Sequence, residues 1–232
     1  MNTIHLFRVM GLSLLAALWL LPAAGCNQNN TMQTDQYAAD DDPQWQRGGG
    51  GPSARTLFGM GKILAAQGKT NEAKFILGKA ITQDRKFAPA YVELAQIQLR
   101  ERQADQAIKV LQEGLRYLPN DSVMTNDVGM CYFLQGQYAR AFDWFQRAAV
   151  ALPQNARYRA NMAMALGMQG RYEEATALYE QVVPSHEAHY NVAVLADARH
   201  DKDRANREYA TAWALRNPTP VDGATTQPVQ EP

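Results

Sequence analysis

Three of the four histidines crowd one short stretch, SHEAHYNVAVLADARHD, which holds His186, His189, His200 and Asp201. Imidazole and carboxylate are ordinary zinc ligands, and histidines three apart share a helical face. The spacing departs from the strongest version of that chemistry. A His-Glu-x-x-His helix sets its histidines four apart, and His186-Glu187-Ala188-His189 is one residue short. A phosphate loop is suggested by Gly48 to Gly51 and by Gly61-Lys62. Such a loop closes Gly-Lys-Ser/Thr, whereas Ile63 follows Lys62, and Thr56 stands where the leading glycine belongs. The chain has no Gly-x-Ser-x-Gly elbow, and the pair Glu173-Glu174 falls at a helix start, where acidic side chains complement the dipole. A histidine-metal hydrolase is therefore the enzyme alternative to the main reading, in which the chain binds a partner, is not an enzyme and uses no cofactor.

The two cysteines, Cys26 and Cys131, belong to different settings. Cys131 lies inside a helical pattern and reads as a small buried apolar residue. Cys26 ends a segment that begins with His5 and Arg8, runs through the apolar stretch Met10 to Leu21, and closes on Pro22-Ala23-Ala24-Gly25-Cys26. A basic start, a short apolar core and small residues at the end describe an export signal, residues 1–25, too short for a permanent span. With Cys26 consumed, Cys131 is left single and no intramolecular disulfide forms.

Ala23-Ala24-Gly25-Cys26 resembles the bacterial lipobox, with Ala23 where that box carries leucine. The resemblance implies cleavage just before Cys26 and a thioether to diacylglycerol on its sulfur. The alternative is a plain cut after Ala24 or Gly25 that leaves a free terminal cysteine. Under the lipoprotein reading Asn27 occupies the sorting position. In the enterobacterial lipoproteins an aspartate there favours inner-membrane retention, so the expected address is the periplasmic face of the outer membrane.

Lys+Arg and Asp+Glu both number 23 in the 232 residues, so no charge excess points to a nucleic-acid partner. Residues 26–53 are amide-rich, acidic in the middle and then tetraglycine. They bury too little apolar surface to offset backbone ordering and read as a flexible tether spanning roughly 30 Å. Residues 218–232, proline-rich and polar, read as a disordered tail.

Between them the sequence repeats. Laid against itself at a 34-residue step, it divides into 54–87, 88–121, 122–155, 156–185 and 186–217. The eighth position is Gly61, Ala95, Gly129, Ala163 and Ala193, and the twentieth is Ala73, Ala107, Ala141, Ala175 and Ala205. Small residues in these columns let two antiparallel helices approach closely. The twenty-fourth, Leu77, Leu111, Phe145, Tyr179 and Tyr209, supplies the large side chains between them. Gly68, Gly136 and Gly170 mark the turn within a pair, where Arg102 and His200 replace glycine, and Pro119 and Pro153 close the second and third units. The fourth unit ends early at Val183-Pro184-Ser185.

These columns resemble the tetratricopeptide repeat, which implies an all-α solenoid of about five helix-turn-helix pairs. The resemblance also implies a concave groove lined by the first helix of each pair. By register it presents Arg55, Phe58 and Lys62, then Val92, Gln96 and Arg100, then Asn126, Met130 and Phe133, then Arg157, Asn161, Met164 and Met168, and last Tyr190, Asn191 and Val194. Asn161 and Asn191 share the sixth position, where family members use asparagine to bond a ligand's backbone; Gly59, Glu93 and Asp127 stand there in earlier units. The other reading has these asparagines linking adjacent helices. Met124, Met130, Met162, Met164 and Met168 cluster in the third and fourth units; Met162 falls in a core column, and the groove candidates are Met130, Met164 and Met168.

A lipobox joined to such repeats is similar to the Tad/Flp pilus-assembly lipoproteins and the secretin pilotins. That implies a protein partner, a secretin, pilus or other envelope component, beside the membrane contact made through the anchor. Repeat lipoproteins that dock peptidoglycan hydrolases are the alternative in the same class. Self-association through the exposed ends of the solenoid stays open.

Overall fold

A computed structural model describes residues 51–218. The expected signal peptide, Cys26, most of the tether and the tail from residue 219 lie outside the described residues. Ten α-helices follow one another among those described, in five pairs. They are α1 (Ala54–Ala66) with α2 (Thr70–Gln83), α3 (Ala88–Arg100) with α4 (Ala104–Tyr117), and α5 (Ser122–Leu134) with α6 (Tyr138–Ala151). Next come α7 (Ala156–Met168) with α8 (Tyr172–Tyr179), and α9 (Ser185–Ala198) with α10 (Lys202–Arg216).

Local chemistry sets the starts. The side chains of Ser53, Asp121, Asn155 and Asp201 accept hydrogen bonds from the first-turn amides of α1, α5, α7 and α10. Pro89 sits in the first turn of α3, where its missing N–H costs nothing. Every first helix stops in the same way. The residue at the turn position has positive φ, namely Gly68 at 76°, Arg102 at 62°, Gly136 at 74°, Gly170 at 84° and His200 at 63°. The next amide then reaches back to a carbonyl five residues earlier: Lys69 to Leu64, Gln103 to Gln98, Gln137 to Tyr132, Arg171 to Leu166 and Asp201 to Ala196. This is the Schellman closure, and it turns the chain into the antiparallel second helix.

Packing within a pair rests on small against large. A Cβ added to Gly129 would lie 2.7 Å from the Phe145 ring, and one added to Gly61 would lie 2.8 Å from Leu77. Ala73, Ala107, Ala141, Ala175 and Ala205 are buried on the facing helices, as are Leu77, Leu111, Phe145 and Tyr179.

Consecutive pairs stack through a repeated joint. The third, seventh and tenth residues of pairs two to five are all buried: Ala90, Leu94 and Ile97; Met124, Val128 and Cys131; Tyr158, Met162 and Ala165; Ala188, Val192 and Leu195. They cluster with side chains of the preceding second helix, as Met124 and Val128 do with Leu111 and Leu115. The fourteenth residue reaches back across the same joint. Lys74 Nζ donates to Glu101 Oε2 at 2.8 Å, and Gln135 Nε2 donates to Asp105 Oδ1 at 2.7 Å. Gln169 Nε2 approaches the Tyr138 carbonyl at 3.4 Å, and Arg199 Nε donates to the Tyr172 hydroxyl at 3.3 Å.

Left-handed backbone costs an L-residue with a Cβ about 1–2 kcal/mol, part of which glycine returns through its freer unfolded chain. Arg102→Gly and His200→Gly should therefore each stabilise the fold by about 0.5–1 kcal/mol, raising the thermal midpoint by about 1–4 °C. Circular-dichroism melts check this, and a midpoint unchanged or lowered in both variants contradicts it.

Candidate functional site

The first helices α1, α3, α5, α7 and α9 share one face, and the side chains assigned to it divide sharply by burial. Arg55, Lys62, Arg100, Arg157 and Tyr190 are exposed, while Phe58, Val92, Gln96, Met130, Phe133, Met168 and Val194 are half-buried. Asn126, Asn161, Met164 and Asn191 are buried. Met164 packs in the large core cluster around α7.

Three aromatics stand along this face at α1, α5 and α9, each braced by a neighbour. Phe58 meets Phe87 edge-on at 5.5 Å between centroids, with Lys62 over its ring at 5.6 Å. Phe133 meets Tyr138 at 5.2 Å, and Tyr190 meets Tyr209 at 5.6 Å. Bracing removes rotamer freedom before any ligand arrives, which lowers the entropic cost of contact.

The asparagines do two different things. Asn161 Nδ2 donates to Asn126 Oδ1 at 2.6 Å, tying α7 to α5, and Asn126 Nδ2 donates to Asp127 Oδ1 at 3.1 Å. Burial pushes the Asp127 carboxyl above its ordinary value, against the opposing pull of the Asn126 amide and of Arg157. Asn191 is 8% exposed and makes no side-chain hydrogen bond among the described residues. Its amide keeps both donor and acceptor available.

The histidine-rich stretch is engaged in the scaffold. His189 Nδ1 lies 2.5 Å from Glu208 Oε2, within hydrogen-bond distance. Glu208 also takes Arg204 at 2.7 Å, and Arg204 reaches Glu173 at 2.6 Å and stacks over Tyr172. The hydrogen bond from Arg204 lowers the Glu173 carboxyl, and the one from Arg171 lowers that of Glu174. His200 is exposed in the turn. Among the described residues no three His, Cys, Asp or Glu side chains are grouped to hold a metal ion, and no helix is long and apolar enough to cross a membrane. Cys131 is fully buried, and burial pushes its thiol up to about 12, far from a reactive thiolate.

Two features escape a motif search but sit in plain register. The fourteenth position, Gln67, Glu101, Gln135, Gln169 and Arg199, is polar in every unit, and from the second onward it bolts a pair to its predecessor. Glu208 could have been found as a carboxylate in a second-helix position that is apolar in the four earlier units, Ile76, Val110, Trp144 and Leu178.

If the Asn126–Asn161 bridge is structural, Asn161→Ala leaves a buried amide oxygen without its donor. The expected loss is about 1–3 kcal/mol, read from the urea midpoint. A midpoint within experimental error of the parent would mean that the bridge holds nothing.

Comparison with known proteins agrees with this geometry. Two segments of protein O-mannosyl-transferase TMTC1 align with the chain: 25% identical over 140 residues in Mus musculus and 26% over 144 in Homo sapiens. Each alignment covers 57% of this chain but only 14% and 16% of those longer proteins. Among solved structures, MamA from Desulfovibrio magneticus superposes with a TM-score of 0.57 at 15% identity, over 72% of this chain and 96% of that one. YrrB gives 0.54 at 18%, over 71% and 87%. Pseudomonas aeruginosa PilF gives 0.54 at 18%, over 70% and 76%. These likenesses concern the fold. Two tetratricopeptide-repeat models match residues 64–125 and 120–188, together more than half of the sequence, and the chain belongs to the tetratricopeptide-repeat family.

Proposed function

We propose that this protein is a membrane-anchored periplasmic adaptor, tethered through a lipid on Cys26, which holds an extended segment of a protein partner along the first-helix face and assists assembly of a pilus or secretion complex. The observation that carries the binding half is the face itself. Three braced aromatics, the exposed cations Arg55, Lys62, Arg100 and Arg157, and the unbonded Asn191 amide remain open after the repeats have packed. Aromatic and guanidinium groups dominate protein contacts, and an open amide pairs with a peptide unit whatever its side chain. Binding is favoured over catalysis because His189, one of the histidines that suggested chemistry, is already engaged by Glu208.

Two relatives support the direction. YrrB is described as a repeat protein with an unusual peptide-binding site, and PilF bears a pilus-related name. The anchor and the address rest on the sequence alone, on the lipobox-like Ala23 to Cys26 and on Asn27.

The test is cross-linking in intact cells, solubilisation of the envelope and identification of co-purifying proteins, comparing the parent with Arg100→Glu/Arg157→Glu/Tyr190→Ala. These side chains are exposed, so the variant should fold. Secretin or pilus components captured by the parent and reduced at least tenfold by the variant are the expected result. Capture of peptidoglycan hydrolases, or partners indifferent to the variant, would count against it.

The anchor has its own check. Cys26→Ser should abolish lipidation and move the protein out of the detergent phase. Unchanged detergent partitioning would overturn the lipoprotein assignment.

A further inference from the structure

Each internal joint buries the third, seventh and tenth residues of one pair beneath the second helix of the pair before it. In the first pair these positions are Thr56, Met60 and Ile63, and all three are exposed, Met60 to 41% and Ile63 to 60%. Among the described residues the front of the solenoid is thus half of a joint with nothing in the other half. At the back, the twenty-eighth position is Ile81, Leu115, Ala149 and Val183 in pairs one to four, each packed against a core cluster. Its fifth occupant is Trp213, 63% exposed, with Leu215 nearby at 48%. Solenoids that end alone carry a polar outer face on the terminal unit. Among the described residues this one presents a tryptophan at its end.

The two unfilled halves are complementary by the protein's own rule. Inside the solenoid the amide of Gln135, at position fourteen, donates to the carboxylate of Asp105, at position eighteen of the preceding pair. At the front, position fourteen is Gln67; at the back, position eighteen is Asp203. Both are exposed, and neither makes a side-chain hydrogen bond among the described residues. The residue types that close the joint between pairs two and three are therefore presented, one at each end of the same chain.

We infer that the back of one copy docks on the front of a second copy, continuing the repeat stack head to tail, with Trp213 against Met60 and Ile63 and the Gln67 amide on Asp203. The occupant is a second copy because the internal joint supplies the geometry and both polar partners are already on this chain. The contact is heterologous, so copies add in an open series. The first-helix faces stay free and run on from copy to copy, which would offer a partner several equivalent grooves in line.

The test uses the full chain in detergent. Gln67→Cys/Asp203→Cys should, on mild oxidation, give a ladder of dimer, trimer and higher species on non-reducing gels. With Cys26 consumed by the lipid and Cys131 buried, the parent should stay monomeric on such gels and each single variant should stop at dimer. Adding Ile63→Glu or Trp213→Glu should reduce the ladder at least tenfold. Both side chains are exposed, so melts of these variants should match the parent. No ladder beyond the single variants overturns the inference, as it would if residues 26–50 covered Met60 and Ile63 instead. A ladder indifferent to both glutamates, or a parent that sediments as monomer at every concentration, overturns it equally.

Discussion

The contact between Gly129 and the Phe145 ring is the kind of constraint on which the rest of the structure depends. With no room for a Cβ at 2.7 Å, the two helix backbones of a pair approach until glycine or alanine alone fits on one side, and a large side chain must fill the space beyond it. That spacing fixes how the second helix lies on the first, and the Schellman turn must then deliver the chain in a single geometry. The turn accepts even Arg102 and His200 at positive φ. A local strain on the order of 1–2 kcal/mol is evidently smaller than the loss of pair packing that a different turn would bring.

Once pairs are rigid units, the joints between them follow. Each buries apolar residues at the same three positions and adds one polar bolt from the fourteenth. The bolts differ in chemistry: an ion pair at Lys74–Glu101, an amide to carboxylate at Gln135–Asp105, and a guanidinium on Tyr172 at Arg199. Position matters more than residue identity there, because a long polar side chain at that place reaches whatever group the preceding pair offers. The exposed part of the first-helix face stands outside these requirements, whereas Asn126, Asn161 and Met164 on the same face serve the packing.

How much of this was legible in the sequence follows from the same distinction. The helical-pair solenoid was readable because close approach demands small residues at fixed intervals, and Ala73, Ala107, Ala141, Ala175 and Ala205 cannot hide in a pattern of that length. For the face, register assigned positions, and four of them, Asn126, Asn161, Met164 and Asn191, are buried. Asn161 and Asn191 occupy the same column, yet one is bonded across to Asn126 and the other makes no side-chain hydrogen bond among the described residues, because the residue one pair earlier differs: Ala160 stands where Asn126 does. Met164 likewise belongs to a face column by register and to the core by packing, since α7 is buried along nearly its whole length. Side-chain partners three dozen residues away decide these cases, and periodicity carries no information about them.

The joint between the fourth and fifth pairs shows what happens when the repeat is cut short. Helix α8 runs eight residues, Tyr172 to Tyr179, against the fourteen of α4 and α6, so it offers less apolar surface to its successor. Polar groups gather there instead. Glu208, 6% exposed, is held between His189 and Arg204; Arg204 continues to Glu173 and covers Tyr172; and Arg199 bonds both the Tyr172 hydroxyl and the Met168 carbonyl. The exposed end at Glu173 contributes little to stability. The buried end is different, since removing the Arg204 guanidinium would strip buried Glu208 of its permanent counter-charge, a loss of about 3–5 kcal/mol for pairs of this kind. Directional bonds of this sort fix orientation where apolar contact alone would let a shortened pair slide. Of the residues that first suggested a metal centre, His189 thus fastens the last helix pair through Glu208 and Asp201 caps α10.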